Sequence, residues 1–273
     1  MRQIHGATHD HRHDTTQDRG GQKKVGPTLR LLRLLANSRE LTLGILVLSL
    51  VVVMSIAFPL NFPTAANIRA VLLNLAPVGI MVCGMMLLMI AGTFDLSCGS
   101  TLALSGVAAG VVVGWWGWPP QMGVVVGITV GALCGVVNGL IVTAIGINAL
   151  IATLGTLAIF RGMTYVLAGS GVTPISEAFA YYGQVTDPVF GVQSLFWVML
   201  IVALIVGFLI SQTPFFRQYY FIGGNARAAK LSDIRVNRML MLGFTLMGIL
   251  SGLAGRPIRR PPELGRGQCR CRD

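Results

Sequence analysis

Seven long apolar segments constrain the fold of this chain more than any other feature of its sequence. The first, residues 41–60, has 20 residues and no charged side chain. A helix needs roughly 20 residues to cross the hydrocarbon core of a bilayer. Backbone groups find no water there, so a helix is the default spanning element. The segments lie at residues 41–60, 70–92, 100–118, 121–145, 147–169, 195–211 and 239–255.

The low content of charged residues supports this interpretation. Hydrophobic residues make up 53% of the 273-residue chain and charged residues only 11%. An ordinary soluble domain has roughly 25% charged residues to cover its surface. The composition therefore excludes a soluble enzyme, a DNA-binding module and a disordered protein. We predict an all-α polytopic membrane protein with about seven transmembrane helices.

The positive charge of the chain is concentrated in three regions. Of the 21 lysines and arginines, eight lie in residues 1–40, five in 212–238 and six in 256–273. Basic residues next to membrane spans favour the cytoplasmic side. With a cytoplasmic N-terminus, residues 170–194, which contain no lysine or arginine, lie outside, and residues 212–238 lie inside. The basic C-terminal tail would then lie outside, which violates the rule.

The two polar tails contain the residues that most resemble metal ligands. The four histidines of the chain are His5, His9, His11 and His13. They suggest either a metal-binding tract or a largely disordered, basic cytoplasmic tail, and we expect the tail. Cys269 and Cys271 form a C-x-C pair without the second pair that a zinc site needs. We expect no metal and no cofactor.

The fourth apolar segment carries glycines at every fourth position. On a helix they form one ridge of small residues, which lets another backbone approach closely. Static packing and a pore-lining helix that slides are both consistent with this ridge. Asn138 lies beside it, where its amide can hydrogen-bond to another helix. The ridge consists of Gly123, Gly127, Gly131, Gly135 and Gly139.

Two charged side chains lie in or beside apolar segments. Asp95 either caps the next helix, with Ser97, Ser100 or Thr101 helping to start it, or belongs to a translocation path. Arg161 either extends to the membrane interface or pairs with a carboxylate near that path.

The loop between the sixth and seventh segments predicts a short helix. Gly223 and Gly224 break the chain, Asn225 suits an N-cap, and residues 226–232 form the helix. A short helix held between two spans suits docking on a partner; a solvated connecting loop is the alternative.

No catalytic set is visible in the sequence. There is no G-x-x-x-x-G-K-[ST] phosphate loop and no H-E-x-x-H motif. All histidines fall within the first 13 residues, so no histidine-based triad can form in the membrane. We expect that the chain is not an enzyme.

Three motifs occur in order along the chain. In the first, residues 92–100 (GTFDLSCGS) match G-G-I-D-L-S-V-G-S. In the second, residues 149–156 and 159–162 match P-F-I-A-T-L-G-T-x-x-I-x-R-G. In the third, residues 222–232 match I-G-G-N-x-x-A-A-x-L-S-G-I. The chain thus resembles the membrane permease subunits of bacterial ABC importers for ribose and related monosaccharides. The resemblance covers roughly residues 30–255.

This resemblance implies a role and a set of partners. Two permease subunits, identical or different, form the pathway in the bacterial inner membrane; two cytoplasmic ATP-binding subunits hydrolyse ATP; and a periplasmic sugar-binding protein delivers the monosaccharide. The ATPase-coupling loop comprises Gly223, Gly224, Asn225, Arg227, Ala228, Lys230, Leu231 and Ser232. The candidate translocation path comprises Asp95, Ser97, Asn138, Thr153, Thr156 and Arg161.

The chain departs from the family pattern at several places. Asp233 stands where the family has glycine, Thr93 and Phe94 replace a Gly-Ile-like pair, and Cys98 replaces a small apolar residue. The largest departure follows Gly255, where the family continues with further apolar spans. Here the chain becomes rich in arginine and proline.

The tail leads to two expectations about the whole chain. We expect a frameshift or premature stop near Gly255; a genuine divergent tail is the alternative. The domains are then a basic tail (1–40), a permease domain (41–255) that lacks the C-terminal spans of the family, and an aberrant tail (256–273). The rival functions are a membrane remnant that does not transport and an ATP-independent secondary transporter. The predicted coupling loop argues against the second.

Overall fold

The computed structural model describes residues 39–169 and 194–255. Within these ranges the chain forms nine α-helices and no strand, and a π-helical segment, Ile141–Ile145, continues the fourth helix. The expected all-α architecture is therefore confirmed. The helices are α1 (Arg39–Ala57), α2 (Ala65–Ile90), α3 (Cys98–Gly114), α4 (Pro120–Leu140), α5 (Ala149–Ala168), α6 (Ser194–Gln212), α7 (Pro214–Gly224), α8 (Ala226–Leu231) and α9 (Val236–Ala254).

Seven apolar helices coincide with the seven predicted segments. Among the described residues, five helices are long and apolar enough to cross a membrane: α2, α4 with its π-helical continuation, α5, α6 and α9. The apolar parts of α1 and α3 are shorter, 10–17 residues. Large apolar side chains such as Met89, Leu133 and Val166 are exposed on the surface. An aqueous surface rarely carries so many, whereas a lipid-facing surface requires them. The chain is a polytopic membrane protein.

Two boundaries differ from the sequence-based expectation. Helix α2 begins at Ala65 rather than near residue 70, because the Thr64 hydroxyl caps it by accepting the Asn67 amide at 3.3 Å. The stretch 214–224, expected to be loop, is a helix of 11 residues. Pro214 occupies its first turn, where a proline is well tolerated.

The chain divides into two compact units at residue 63. The first contains α1, whose apolar part is Leu41–Ala57. In the second, α4 makes extensive contacts with α9 and α3. Helix α5 packs against α3, and α2 lies against α9 and α6.

Candidate functional site

Helices α7 and α8 form one element, which we call the coupling segment (residues 214–232). Its inner face joins a core cluster that includes Leu87 of α2 and Met239 of α9. Tyr219 is fully buried there, and its hydroxyl donates to the Met239 carbonyl oxygen at 2.8 Å. Burial raises the pKa of Tyr219 to about 12, so the hydroxyl remains a donor at neutral pH. The coupling segment is thus fixed to the ends of α2 and α9.

Gly223 serves close packing rather than a break in the chain, whereas a Cβ on Gly224 would meet nothing within 4 Å. Gly223 and Gly224 form the last turn of α7, and the break comes one residue later, at Asn225. A Cβ on Gly223 would collide with the carbonyl oxygen of Ile90 at the end of α2. The prediction that the pair interrupts the chain was therefore wrong. Only glycine lets the two backbones approach this closely.

Asn225 begins α8 as the sequence predicted. Its φ of −159° is extended, and its Oδ1 accepts the backbone N–H groups of Arg227 at 3.0 Å and Ala228 at 3.1 Å. Two of the free donors at the helix start are thereby satisfied. The helix ends at Leu231, one residue earlier than predicted, and Ser232 is its C-cap.

The outer face of the coupling segment combines basic and apolar groups. Arg227 and Lys230 are exposed, and Leu231 is 91% exposed. Ala229 is the buried residue of α8 and attaches it to the core. Beside α8 lies an open groove of about 500 Å³. The groove is lined by Tyr220, Phe221, Gly224, Asn225, Ala228, Ala229, Ser232 and Ile234.

Asp233, directly after the coupling segment, has a left-handed backbone. Its φ is +60°, and it is the one non-glycine residue with positive φ in the described part of the chain. This conformation favours glycine, because a Cβ crowds the following carbonyl oxygen. The glycine of the family motif therefore has a conformational reason, and the aspartate here carries a strain.

Asp95, Ser97 and Asn138 form a second, buried site. Asp95 is 2% exposed, and Ser97 and Asn138 are fully buried. Asp95 Oδ1 accepts the Ser97 backbone N–H at 2.8 Å and the Ser97 hydroxyl at 2.7 Å, just before α3. The N-cap of α3 is Ser97 rather than Asp95, and no side chain caps the free amides of its first turn. The Asn138 amide, on α4, donates to Ser97 Oγ at 2.7 Å and approaches the two carboxylate oxygens at 3.3 and 3.4 Å. The site thus ties α3 to α4.

Burial and hydrogen bonding act on the Asp95 carboxyl in opposite directions. Removal from water raises its pKa, while the bonds from Ser97 and Asn138 lower it; burial is the larger effect. The side-chain oxygen of Asn138 has no hydrogen-bond partner among the described residues. The same described ranges contain no group of three potential metal ligands.

The other three candidate path residues do not join this cluster. Thr153 and Thr156 are buried on α5, and their hydroxyls donate to the carbonyl oxygens of Ala149 at 2.7 Å and Thr153 at 3.3 Å in their own helix. Arg161 is exposed and forms no ion pair with another described residue. Its role in a path stays a prediction.

The glycine ridge of α4 lies against α9. A Cβ on Gly131 would collide with the Gly248 carbonyl oxygen and would lie 2.8 Å from Gly252 Cα. Gly135 faces Phe244 and Gly248 in the same way, whereas Gly139 faces the Met241 side chain. The remaining ridge members are also in the interior: Gly123 is buried, and a Cβ on Gly127 would lie 3.3 Å from the Gly252 carbonyl oxygen.

Besides the bond from Asn138 to Asp95, sequence reasoning missed three contacts between distant residues. Neither the Tyr219 bond to α9 nor the approach of Gly223 to α2 has a local sequence signal. The third joins α9 to the π-helical segment, where the Asn237 amide donates to the Thr143 carbonyl oxygen at 3.2 Å. π-helical turns are rare, and no residue type in the sequence predicts this one.

Comparison with known proteins decides the family. Residues 67–257 match the family described as branched-chain amino acid transport system / permease component. The chain belongs to this permease family. Among its relatives, the permease is 36% identical over 218 residues to the L-arabinose transport system permease protein AraH of Escherichia coli (strain K12), covering 78% of this chain and 64% of that protein. The motif-based resemblance to bacterial importer permeases is confirmed.

Two further relatives have the same extent of match. The Ribose import permease protein RbsC of Bacillus subtilis (strain 168) is 35% identical over 208 residues, 76% of this chain and 64% of the relative. The Autoinducer 2 import system permease protein LsrC of Klebsiella pneumoniae is 32% identical over 226 residues, 82% of this chain and 64% of the relative. The chain thus spans 64% of the length of each of these relatives. No solved structure shows a significant match.

Four expectations concern residues outside the described ranges: the histidine tract, the loop 170–193, the C-x-C pair, and the frameshift or stop after Gly255. They stay predictions.

Proposed function

We propose that the chain is the transmembrane permease subunit of an ABC importer for a monosaccharide. It forms the translocation path, breaks no bond, and couples through residues 223–232 to a separate ATP-binding subunit. The substrate class is supported by the relatives named for L-arabinose and ribose. Which sugar is carried depends on partners that deliver it.

The coupling segment is the observation that carries this proposal. It presents a capped short helix with two exposed cations beside an open groove lined by Tyr220 and Phe221. Phe221 is 65% exposed. An aromatic group that exposed next to Arg227 and Lys230 suits a protein partner that offers apolar groups and carboxylates. The buried anchor of Tyr219 gives such a partner a fixed base on which to act.

The remaining assembly follows from the same function. The ATP-binding subunits dock from the cytoplasm, where the positive-inside rule places the N-terminus and residues 212–238. A second permease copy completes the path in the inner membrane, and a periplasmic sugar-binding protein loads it. Thr153 and Thr156, both buried on α5, are hydroxyl residues that we assign to the path. The ATP-binding subunits supply all the bond chemistry.

Co-purification with the ATP-binding subunit tests the proposal. The full chain is co-expressed with the ATP-binding and sugar-binding subunits of its own importer, and uptake of labelled L-arabinose and D-ribose is measured. Replacing Asn225 and Arg227 by alanine removes the α8 cap and one exposed cation. We expect this double variant to lose more than tenfold of the co-purified ATPase.

Arg238→Ala is the matched control, because Arg238 is an exposed arginine nearby in the chain, in the first turn of α9 and outside the motif. It should retain the ATPase at the unsubstituted level. If the unsubstituted chain neither retains the ATPase nor takes up any sugar, the proposed function is wrong. Equal losses in the double variant and the control would show that net charge alone attracts the ATPase.

A further inference from the structure

The coupling segment connects to the buried Asp95 site through a short, well-bonded stretch of chain. Gly223 of α7 packs on the Ile90 carbonyl group. The chain after Ile90 does not leave α2 freely, since the Gly92 and Thr93 amides donate to the Met89 and Leu88 carbonyl oxygens, both at 3.0 Å. Two residues later comes Asp95. A displacement at Gly223 therefore reaches Asp95 without an intervening flexible loop.

The Asp95 side chain accepts bonds from two elements. Ser97, the N-cap of α3, supplies two local donors, its backbone N–H and its hydroxyl. The Asn138 amide adds a third donor from a helix 43 residues further along the chain. Burying an amide beside a carboxylate is costly unless the bond is made, so this contact has only a narrow range of favourable geometries. The turn before α3 accounts for the bonds from Ser97 but not for those from the Asn138 amide, the shortest of which goes to Ser97 Oγ at 2.7 Å.

The other contacts between α3 and α4 are less directional. For example, a Cβ added to Gly127 would lie 3.6 Å from the Ser105 carbonyl oxygen and 3.7 Å from Ala109 Cβ. These are ordinary packing distances, which change little when helices move slightly. The bond at Asn138 is the directional contact by which movement of the start of α3 is passed to the end of α4.

We propose that Asn138 is a positioning residue that, through Asp95, transmits displacement of the coupling segment to α3 and α4. This inference rests on the proposed function, because the displacement is produced by the ATP-binding subunit. Binding of that subunit moves α7, the end of α2 follows, and the Asp95–Asn138 contact carries the movement into two transmembrane helices. Loss of the contact uncouples the helices but leaves the docking surface intact.

Cys98 provides the readout, because it is the first residue of α3 and is partly buried three positions after Asp95. The full chain in membrane vesicles is labelled with N-ethylmaleimide, with and without the ATP-binding subunit. The rate at Cys98 is followed by mass spectrometry of its peptide. We expect subunit binding to change this rate at least threefold in the unsubstituted chain.

Exchange of the two side chains separates transmission from mere loss of structure. In Asn138→Asp, two carboxylates face each other; in Asn138→Leu, the donor is missing. Both should bind the ATP-binding subunit normally and lose the change in Cys98 rate. The double variant Asp95→Asn with Asn138→Asp keeps one amide and one carboxylate, and it should recover the change. Thr129 is an exposed residue on α4 whose hydroxyl bonds to its own helix. Thr129→Val should therefore retain the change in Cys98 labelling rate on binding of the subunit.

The outcomes distinguish this inference from the proposed function. Failure of the subunit to bind the unsubstituted chain overturns both. Binding with an unchanged Cys98 rate overturns the inference alone. So does a normal response in Asn138→Leu, or a folded exchange variant that binds the subunit without recovering the response.

Discussion

Substitution of Gly131 by alanine tests how closely α4 and α9 pack. The new Cβ would collide with the Gly248 carbonyl oxygen and would lie 2.8 Å from the Cα and N atoms of Gly252. These are backbone atoms, so no side chain can rotate away to make room. Ordinary contact begins at 3.4 Å, so the two helices must separate along this part of their interface.

The cost of this separation can be estimated from packing. A gap of roughly 0.5–1 Å forfeits a quarter to a half of each van der Waals contact along it. Overpacking of a well-filled interior costs about 1–3 kcal/mol. Alanine also has a helix propensity about 1 kcal/mol better than glycine, which partly offsets the loss. In lipid no hydrophobic force holds the helices together, so the packing loss is not recovered elsewhere.

Gly207→Ala is the matched control, since a Cβ on this α6 glycine meets nothing within 4 Å. It should gain only the propensity term. Gly131→Ala should therefore be less stable than Gly207→Ala by about 1–3 kcal/mol, or roughly 2–12 °C in Tm at about 2–4 °C per kcal/mol. Fluorescence-detected thermal unfolding in detergent measures the difference. Equal Tm values for the two variants would refute the close approach of α4 to α9.

Two further predictions concern the coupling segment and Asp233, the residue that follows it. Asp233→Gly should raise the free energy of unfolding by about 0.5–1 kcal/mol, because relief of a left-handed backbone that costs about 1–2 kcal/mol outweighs the backbone entropy that glycine loses on folding. Ser232→Gly, where φ is −91°, should lower the free energy of unfolding instead. A change of the same sign in both variants would contradict the strain at Asp233. Tyr219→Phe should cost about 1 kcal/mol by chemical denaturation, whereas the exposed Tyr220→Phe should cost less than about 0.5. Since the folded pKa of Tyr219 is about 12 and its ordinary value is 10.0, its contribution is constant below pH 10 and falls between those values.

The fold was largely predictable because a helix that crosses a membrane requires a long apolar segment in the sequence. Length and apolarity alone locate a span, and each predicted segment contains a helix in the structure. Helix α7 was missed for the opposite reason. Its sequence, PFFRQYYFIGG, mixes aromatic, polar and glycine residues, so it has no long apolar run. It is helical because one face, with Tyr219 and Ile222, is buried against other helices.

The candidate site was predictable only where its chemistry is local. The Asn225 cap depends on the next three residues. At Asp233 the sequence showed only a departure from glycine, and the left-handed backbone came from the structure. The link between Asp95 and Asn138 could not be derived, because nothing in either segment specifies which helix lies beside it. Asp95 was considered as an N-cap, but Ser97 occupies that position, and the partner of Asp95 on α4 required the tertiary structure.

Helix α4 carries both the glycine ridge and Asn138. The bond from Asn138 therefore affects whether the ridge packs in one position or slides. Gly127 and Gly131 face Gly252 and Gly248, and the spacing is four residues in both helices. A shift of one repeat, about 6 Å along the axis, would again match small residues with small residues. Sliding of α4 along this ridge stays a prediction, and the Asn138 bond to Asp95 favours the observed position. Sliding of α4 requires that this bond break first, so a variant without it should sample the shifted position more often.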